Sequence, residues 1–301
     1  MDFFCGHVRA AVHHSDEEMS SENIPVPVLL RLLLTLLGLV AVVAQARSAI
    51  RNAPQSNVPA WNARSASALA FAGICIFCLV GSSLLCTSVA RALFPDFDFA
   101  DKPQALIPAI QTLSLAALIA ARLIFPEAFP PSFDAPKERR LRRWLSPMNP
   151  FGVPALFATG FFAVVVAIVV VKIAVVFLPE NLREIFSENQ ELVNALGRSD
   201  PLVVALCVPA IAVFTPVIEE IIFRAGLYRL LKSRMSAVPA ALVSSVIFAL
   251  MHDAPASYLP LTLLGCVLCL AYETTGRLAA PVLVHALFNA NTLLCLVLSR
   301  E

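Results

Sequence analysis

The chain has 301 residues, 58% of them hydrophobic and 14% charged, with a mean hydropathy of +0.79 and a net charge of +1. A soluble domain is about 45–50% apolar and about 25% charged, so this composition excludes an ordinary soluble fold and implies an integral membrane protein with several spans. The near-neutral balance lacks the basic footprint of a nucleic-acid-binding domain, so no nucleic-acid partner is expected.

Residues 1–26 form a polar tail that carries Asp16, Glu17, Glu18 and Glu22. It lacks the basic n-region and short apolar h-region of a cleaved signal. Cys5, His7, His13 and His14 lie there too, and a disordered tail accounts for them more simply than a metal site. Apolar runs follow at 27–46, 67–94, 104–125, 151–178, 201–231, 236–252, 257–274 and 278–299. Each is near or above the roughly 17–25 residues that a spanning helix needs; the sixth and seventh are the shortest, and whether both cross fully is left open by length alone. They are rich in Leu, Ala and Val and show no period-2 alternation, which excludes a β-barrel. The expected fold is therefore an all-α polytopic membrane protein of about eight transmembrane helices.

The loops set an orientation. Arg47, Arg51 and Arg64 lie in the first loop, Lys137, Arg139, Arg140, Arg142 and Arg143 in the third, Lys232 and Arg234 in the fifth, and Arg277 in the seventh. The even loops are acidic, with Asp96, Asp98 and Asp101 in the second, Glu180, Glu184, Glu188, Glu191 and Asp200 in the fourth, and Asp253 in the sixth. By the positive-inside rule the odd loops are cytoplasmic and both termini face outward. The basic run Lys137–Arg143, followed by Trp144 and Leu145, reads as an anchor on anionic lipid. Between Glu180 and Arg198, the spacing of Leu182, Ile185, Phe186, Leu192, Val193 and Leu196 suits an amphipathic helix on the outer surface. Arg122 and Lys172, near helix ends, can snorkel to the interface. The pairs Cys75/Cys78 and Cys266/Cys269 lie inside apolar runs, where cysteine acts as a small hydrophobe rather than a redox or zinc pair. No internal repeat suggests a transporter with inverted halves.

The chain divides by content into the tail 1–26, a segment 27–150 with the first three helices and the basic cytoplasmic loop, and a segment 151–301 with helices four to eight. Nearly all polar residues of interest lie at about 200–295. The fifth run contains Glu219-Glu220-Ile221-Ile222-Phe223-Arg224. Charges at membrane depth cost about 2.5–3.5 kcal/mol each on insertion scales, so they mark function by default. Glu220 and Arg224 are i, i+4 and can pair, while Glu219 lies about 100° round the helix and is left to handle protons. The sixth run ends with Phe248 and His252, and the eighth carries His285 and Asn289, each pair again i, i+4. These two are the chain's only histidines outside the tail.

Carboxylates, histidines and an amide converging inside a bilayer suit hydrolysis of an amide. A carboxylate can activate water as general base, and the amide N–H can support an oxyanion. The set would also suit zinc held by Glu219, His252 and His285, although the H-E-x-x-H helix of zinc proteases is absent. No serine or cysteine on these faces pairs obviously with a histidine as a nucleophile.

The order EExxxR, FxxxH, HxxxN resembles the CAAX-processing and bacteriocin-processing (CPBP, or Abi) family of intramembrane proteases, which includes prenyl-protein endopeptidases of Rce1 type. Flanking residues are similar too, namely Phe223 to Leu227, Ser244 to His252, and Ala271-Tyr272-Glu273-Thr274-Thr275-Gly276. The resemblance covers about the last hundred residues. One departure is Ala225 with Gly226, where many members have glycine directly after the arginine; helix packing, not chemistry, is the property it should affect. The resemblance implies Glu219 as the base that activates water, His252 as its partner, His285 and Asn289 as oxyanion support, and Glu220 with Arg224 holding the geometry, with Phe248 beside them. It implies a glutamate mechanism without metal, with zinc as the alternative. It also implies a peptide or protein substrate, prenylated or membrane-bound, while the short loops and compact length suit a bacterial inner membrane. A non-catalytic membrane scaffold of the same fold and a proton-coupled carrier are the competing classes. The carrier would want a polar path through the helices, which the sequence does not offer.

Overall fold

The computed structural model describes residues 26–51, 58–97, 99, 102–133, 149–180, 183, 186, 195–197 and 199–298. Among these the fold is all-α, without strands. The eight helices are α1 (Val26–Arg51), α2 (Ser65–Leu93), α3 (Gln104–Ile124), α4 (Val153–Val176), α5 (Pro201–Leu231), α6 (Ala237–Leu250), α7 (Tyr258–Thr275) and α8 (Ala279–Leu298). Seven are long and apolar enough to cross a membrane, α7 together with the short turn before it. The exception is α6, whose 14 residues span about 21 Å at 1.5 Å per residue, against a hydrocarbon core of about 30 Å. Of the two shortest runs, the seventh reaches spanning length with the turn before it, whereas α6 alone falls short; a helix of that length still joins the two faces where the bilayer thins or flanking residues snorkel. The tail, the basic run at 137–143 and most of the acidic stretch at 180–198 lie outside the described residues.

Helix ends follow local chemistry. Asp200 caps α5 by accepting from the Leu202 N–H at 2.8 Å, with Pro201 in the first turn, where its missing N–H is harmless. Arg183 donates to the Leu178 and Val176 carbonyls at 2.7 and 2.9 Å, supplying donors that the end of α4 lacks. Gly276 ends α7 in the left-handed region at φ 67°, its N–H bonded to the Tyr272 carbonyl at 2.8 Å.

α7 lies at the centre. Half of its membrane-length window is buried, against 22% or less for α1 to α4. One side packs Leu264, Val267, Leu268 and Ala271 against Leu156 and Val164 of α4 and Ala280 and Val284 of α8. Another packs Cys269 and Tyr272 against Ala225 and Tyr228 of α5 and Ala240 of α6. The remaining helices flank this core. α1 rests on α4, where Gly38 meets the Ala158 carbonyl. α2 and α3 meet α5 through an aromatic cluster of Trp61, Phe71, Phe129, Phe223 and Phe248.

Three stretches widen to π-helical turns, in α2 at Phe77–Gly81 and in α5 at Ala210–Phe214 and Ile221–Tyr228. Such turns free backbone carbonyls that must find other donors, since the bilayer offers none. In α2 the Cys78 carbonyl accepts from Ser82 Oγ at 3.0 Å and from Ser114 Oγ of α3 at 2.9 Å. The two hydroxyls, both fully buried, stand 2.8 Å apart. The first helices are therefore less featureless than the hydropathy implies: a small polar knot fastens α2 to α3. Cys78 lies inside this contact, its Sγ 3.6 Å from the Ser114 carbonyl, and packs as the apolar setting predicts.

Candidate active site

The site is built on α5. Pro209 and Pro216 bracket its first π-helical turn, and Pro216 lacks the N–H that would serve the carbonyls one turn earlier. Asn289 of α8 supplies a replacement, donating from Nδ2 to the Ile211 carbonyl at 2.9 Å. This bond fastens α8 to α5 about two helical turns before the carboxylates. The second π-helical turn begins at Ile221, directly after Glu219 and Glu220, and contains Arg224.

Glu220 and Arg224 are both fully buried and pair at 3.1 Å, the i, i+4 contact that their spacing predicts. The contact is a charge pair rather than a directed bond, because Arg224 Nη1 and Nε and Glu220 Oε2 have no hydrogen-bond partner among the described residues. Arg224 also donates from Nη2 to the Gly265 carbonyl of α7 at 3.3 Å, and its guanidinium lies 4.7 Å from the centre of the Phe248 ring. A guanidinium over a ring face at this distance is held by the ring's negative centre as well as by its carboxylate.

His285 of α8 reaches across to both glutamates. Its Nδ1 is 3.0 Å from Glu220 Oε1 and its Nε2 is 3.6 Å from Glu219 Oε2. Glu219, whose side chain is 17% exposed, is the more accessible of the two carboxylates. The chain Arg224, Glu220, His285, Glu219 thus links two helices through a run of close polar contacts. The sequence leaves Glu219 on its own, but the fold gives it a ring nitrogen as neighbour.

Phe248 connects the third helix to this chain. Its ring meets Phe223, His252 and His285 edge to face, with centroids 5.2, 5.1 and 5.8 Å apart. His252, just beyond the end of α6, turns Nδ1 toward the Phe248 carbonyl at 3.1 Å and is half-exposed. It therefore joins the site through Phe248. Ser244, one turn before Phe248, donates to the Phe223 carbonyl at 3.1 Å and holds α6 against the π-helical turn. Six of the seven singled-out residues thus join one contact cluster drawn from α5, the end of α6, and α8, while Asn289, one turn beyond His285 on α8, bonds to α5 at Ile211.

Among the described residues no three His, Cys, Asp or Glu side chains are gathered as a metal-ligating set. For the zinc alternative on Glu219, His252 and His285, the Nδ1 of each histidine faces an oxygen acceptor, as is usual behind a metal-binding imidazole, while of the three side chains only Glu219 and His285 come within ion-pair distance of one another.

Sequence reasoning missed a second polar group at the ends of α5 and α7. Glu273 accepts from Tyr228 Oη at 2.7 Å and pairs with Lys232. Lys232 also reaches the Val58 carbonyl at 2.6 Å, and Arg229 reaches the Pro59 carbonyl at 2.9 Å and that of Ser132. The Trp61 N–H bonds to the Arg229 carbonyl at 2.8 Å, and Tyr272 donates to the Phe133 carbonyl. Parts of the first and third loops are thereby tied across the end of the bundle. The only signal was Glu273 within a motif otherwise read for resemblance; its partners are far apart in the chain.

Comparison with known proteins agrees with the motifs. Residues 201–291 match the family described as type II CAAX prenyl endopeptidase Rce1-like. A segment is 29% identical over 103 residues to the putative membrane peptidase YdiL of Bacillus subtilis (strain 168), covering 34% of this chain and 41% of that protein. Another is 30% identical over 122 residues to the membrane-embedded CAAX protease MroQ of Staphylococcus aureus (strain USA300), covering 38% of this chain and 47% of that protein. The chain thus spans less than half the length of the curated relatives it matches. No solved structure matches. The resemblance carried by the three motifs extends over the whole segment from α5 into α8, the same segment that holds every residue of the cluster.

Proposed function

We propose that the chain is an intramembrane endopeptidase of the CAAX prenyl protease kind, hydrolysing a peptide bond with water activated by Glu219. The observation that carries this reading is the convergence of Glu219, Glu220 and His285 from α5 and α8, with His252 joined through Phe248, within the segment that matches the family. Glu219 is the more exposed carboxylate, and so the one a water and a substrate carbonyl can reach. Its neighbour Glu220 is engaged by Arg224 and His285 and holds the geometry. His252, half-exposed at the end of a short helix, assists Glu219 at the mouth of the site. Asn289 keeps a second amide N–H beside the one given to Ile211, enough to support a developing oxyanion.

The substrate is a peptide or protein delivered in or at the bilayer, with a prenylated C-terminus as the first candidate. We take the reaction to need no metal, with zinc the alternative. The protein would lie in a bacterial inner membrane with the odd loops cytoplasmic and both termini outside. Purified protein is offered a library of lipid-anchored and prenylated peptides, with and without chelator, alongside metal analysis. Cleavage that survives chelation and vanishes in Glu219→Gln and His252→Ala is expected, with a loss of about 10²–10⁴-fold for a positioned acid or base. Full biological activity in a folded Glu219→Gln variant would instead favour a non-catalytic scaffold.

A further inference from the structure

We propose that the seam between α3 and α5 binds one anionic phospholipid, its phosphate on Arg122 and an acyl chain in the cleft beside it. Arg122 stands in the last turn of α3 and is half-buried. Its Nη1 donates to the Pro126 carbonyl at 3.1 Å and its Nη2 to the Pro131 carbonyl at 3.2 Å. Its guanidinium carbon lies 5.8 and 5.7 Å from the centres of the Phe129 and Phe133 rings. Carbonyls and rings attract the cation but do not cancel its charge, and no carboxylate pairs with it among the described residues. A guanidinium has five N–H donors, so most of them remain for an anion. The group is also held in place. Tyr272 of α7 donates to the Phe133 carbonyl and Arg229 of α5 to that of Ser132. The stretch that carries both rings is thereby fastened from three helices, and Phe129, 2% exposed, packs on Phe71. Arg122 is preset, where a snorkelling side chain would be free to sweep the interface.

The cleft beside the guanidinium is apolar. Leu118, Ile119 and Leu123 of α3 and Ile221 of α5 line it together with Arg122, and it encloses about 140 Å³. Pockets for drug-sized ligands hold roughly 300–1,000 Å³, so this one admits a narrow chain and not a helix. Ile119 and Leu123 are 53% and 76% exposed on a helix of membrane-spanning length, so the medium at the cleft is hydrocarbon. The charge selects the lipid. On the orientation set by the basic odd loops, this end of α3 meets the cytoplasmic leaflet, where anionic headgroups attract and are attracted by arginine. Ile221 opens the second π-helical turn, directly after Glu220. A chain seated there buttresses the helix that carries the candidate site.

The test is photolabelling of the full chain in phosphatidylcholine nanodiscs. A small fraction of either phosphatidylglycerol or phosphatidylcholine carries a diazirine in its acyl chain. Label on peptides containing Ile119, Leu123 and Ile221 should be about fivefold higher from phosphatidylglycerol, the preference that one cationic side chain gives an anionic headgroup. Arg122→Gln should bring the two lipids to parity. Arg64→Gln removes an exposed arginine from the same end of the bundle, at the start of α2, and should leave the preference intact. Equal labelling in the wild type, or a preference that survives Arg122→Gln, would overturn the proposal. So would a preference lost equally in Arg64→Gln, which would mean diffuse attraction to charge. A second measurement needs no variant to fold: the unfolding midpoint in neutral detergent should rise with phosphatidylglycerol but not with phosphatidylcholine or inorganic phosphate. An equal rise with inorganic phosphate would also overturn the proposal, since the chain would then play no part. None of these measurements uses cleavage, so the endopeptidase reading stands or falls separately.

Discussion

Arg224 and Glu220 form a fully buried ion pair among the described residues, each the other's counter-charge. Removing one leaves the other unpaired at low dielectric, a change that costs about 3–5 kcal/mol in comparable pairs. Arg224→Gln should therefore lower the midpoint of thermal unfolding in detergent sharply. The double variant Glu220→Gln/Arg224→Gln should recover part of that loss while remaining inactive. Phe248 carries the guanidinium on its ring and both histidines on its edges. Phe248→Leu keeps much of the apolar volume and removes the ring electrostatics. Its cleavage rate should fall by more than its stability does, as judged by kcat beside the unfolding midpoint.

At the scale of the element, α5 is the least regular helix and the most important one. Two π-helical turns flank Glu219 and Glu220, two prolines precede them, and the Ile211 carbonyl is taken by Asn289. Asn289→Ala leaves that acceptor unpaired in an apolar setting, worth about 1–3 kcal/mol. It should loosen α8 against α5, so that hydrogen exchange rises around 208–214. The second π-helical turn meets α2 at Gly226, where an added Cβ would fall 2.0 Å from the Phe71 ring. The departure Ala225-Gly226 from the common family pattern thus bears on packing, with Ala225 fully buried and Gly226 receiving an aromatic ring. Gly226→Ala should destabilise by about 1–3 kcal/mol through overpacking, and Phe71→Ala in the same chain should relieve much of the strain, read as non-additive unfolding midpoints.

For the whole molecule, Glu273 and Lys232 hold the first loop across one end of the bundle, and Arg229 and Tyr272 hold the third. Glu273→Ala should release the segment around 58–61, seen as faster hydrogen exchange there. The effect on cleavage should be smaller than that of any change in the Glu219 cluster, because the ties lie at the helix ends. The orientation from the basic odd loops predicts that alkaline phosphatase fused after Glu301 is active on the outer side. An inactive fusion paired with a fluorescent cytoplasmic one would reverse the assignment of both faces.

Most of the architecture was legible before any coordinates. Apolar runs mark helices because each span must satisfy its own backbone in lipid, and fifteen of the sixteen helix ends fall within a few residues of expectation, the exception being α1, which runs on to Arg51. The pairing of Glu220 with Arg224 was legible for a similar reason: i, i+4 contacts are local and follow from helix geometry alone. What only the tertiary structure decided is how distant segments meet. That His285 stands between both glutamates, that Asn289 serves a π-helical stretch of α5, and that the group around Glu273 ties the first loop to the bundle all depend on how helices cross and where π-helical turns rotate their faces. Hydropathy and spacing record each helix's own surface, but not the angle at which it meets its neighbours.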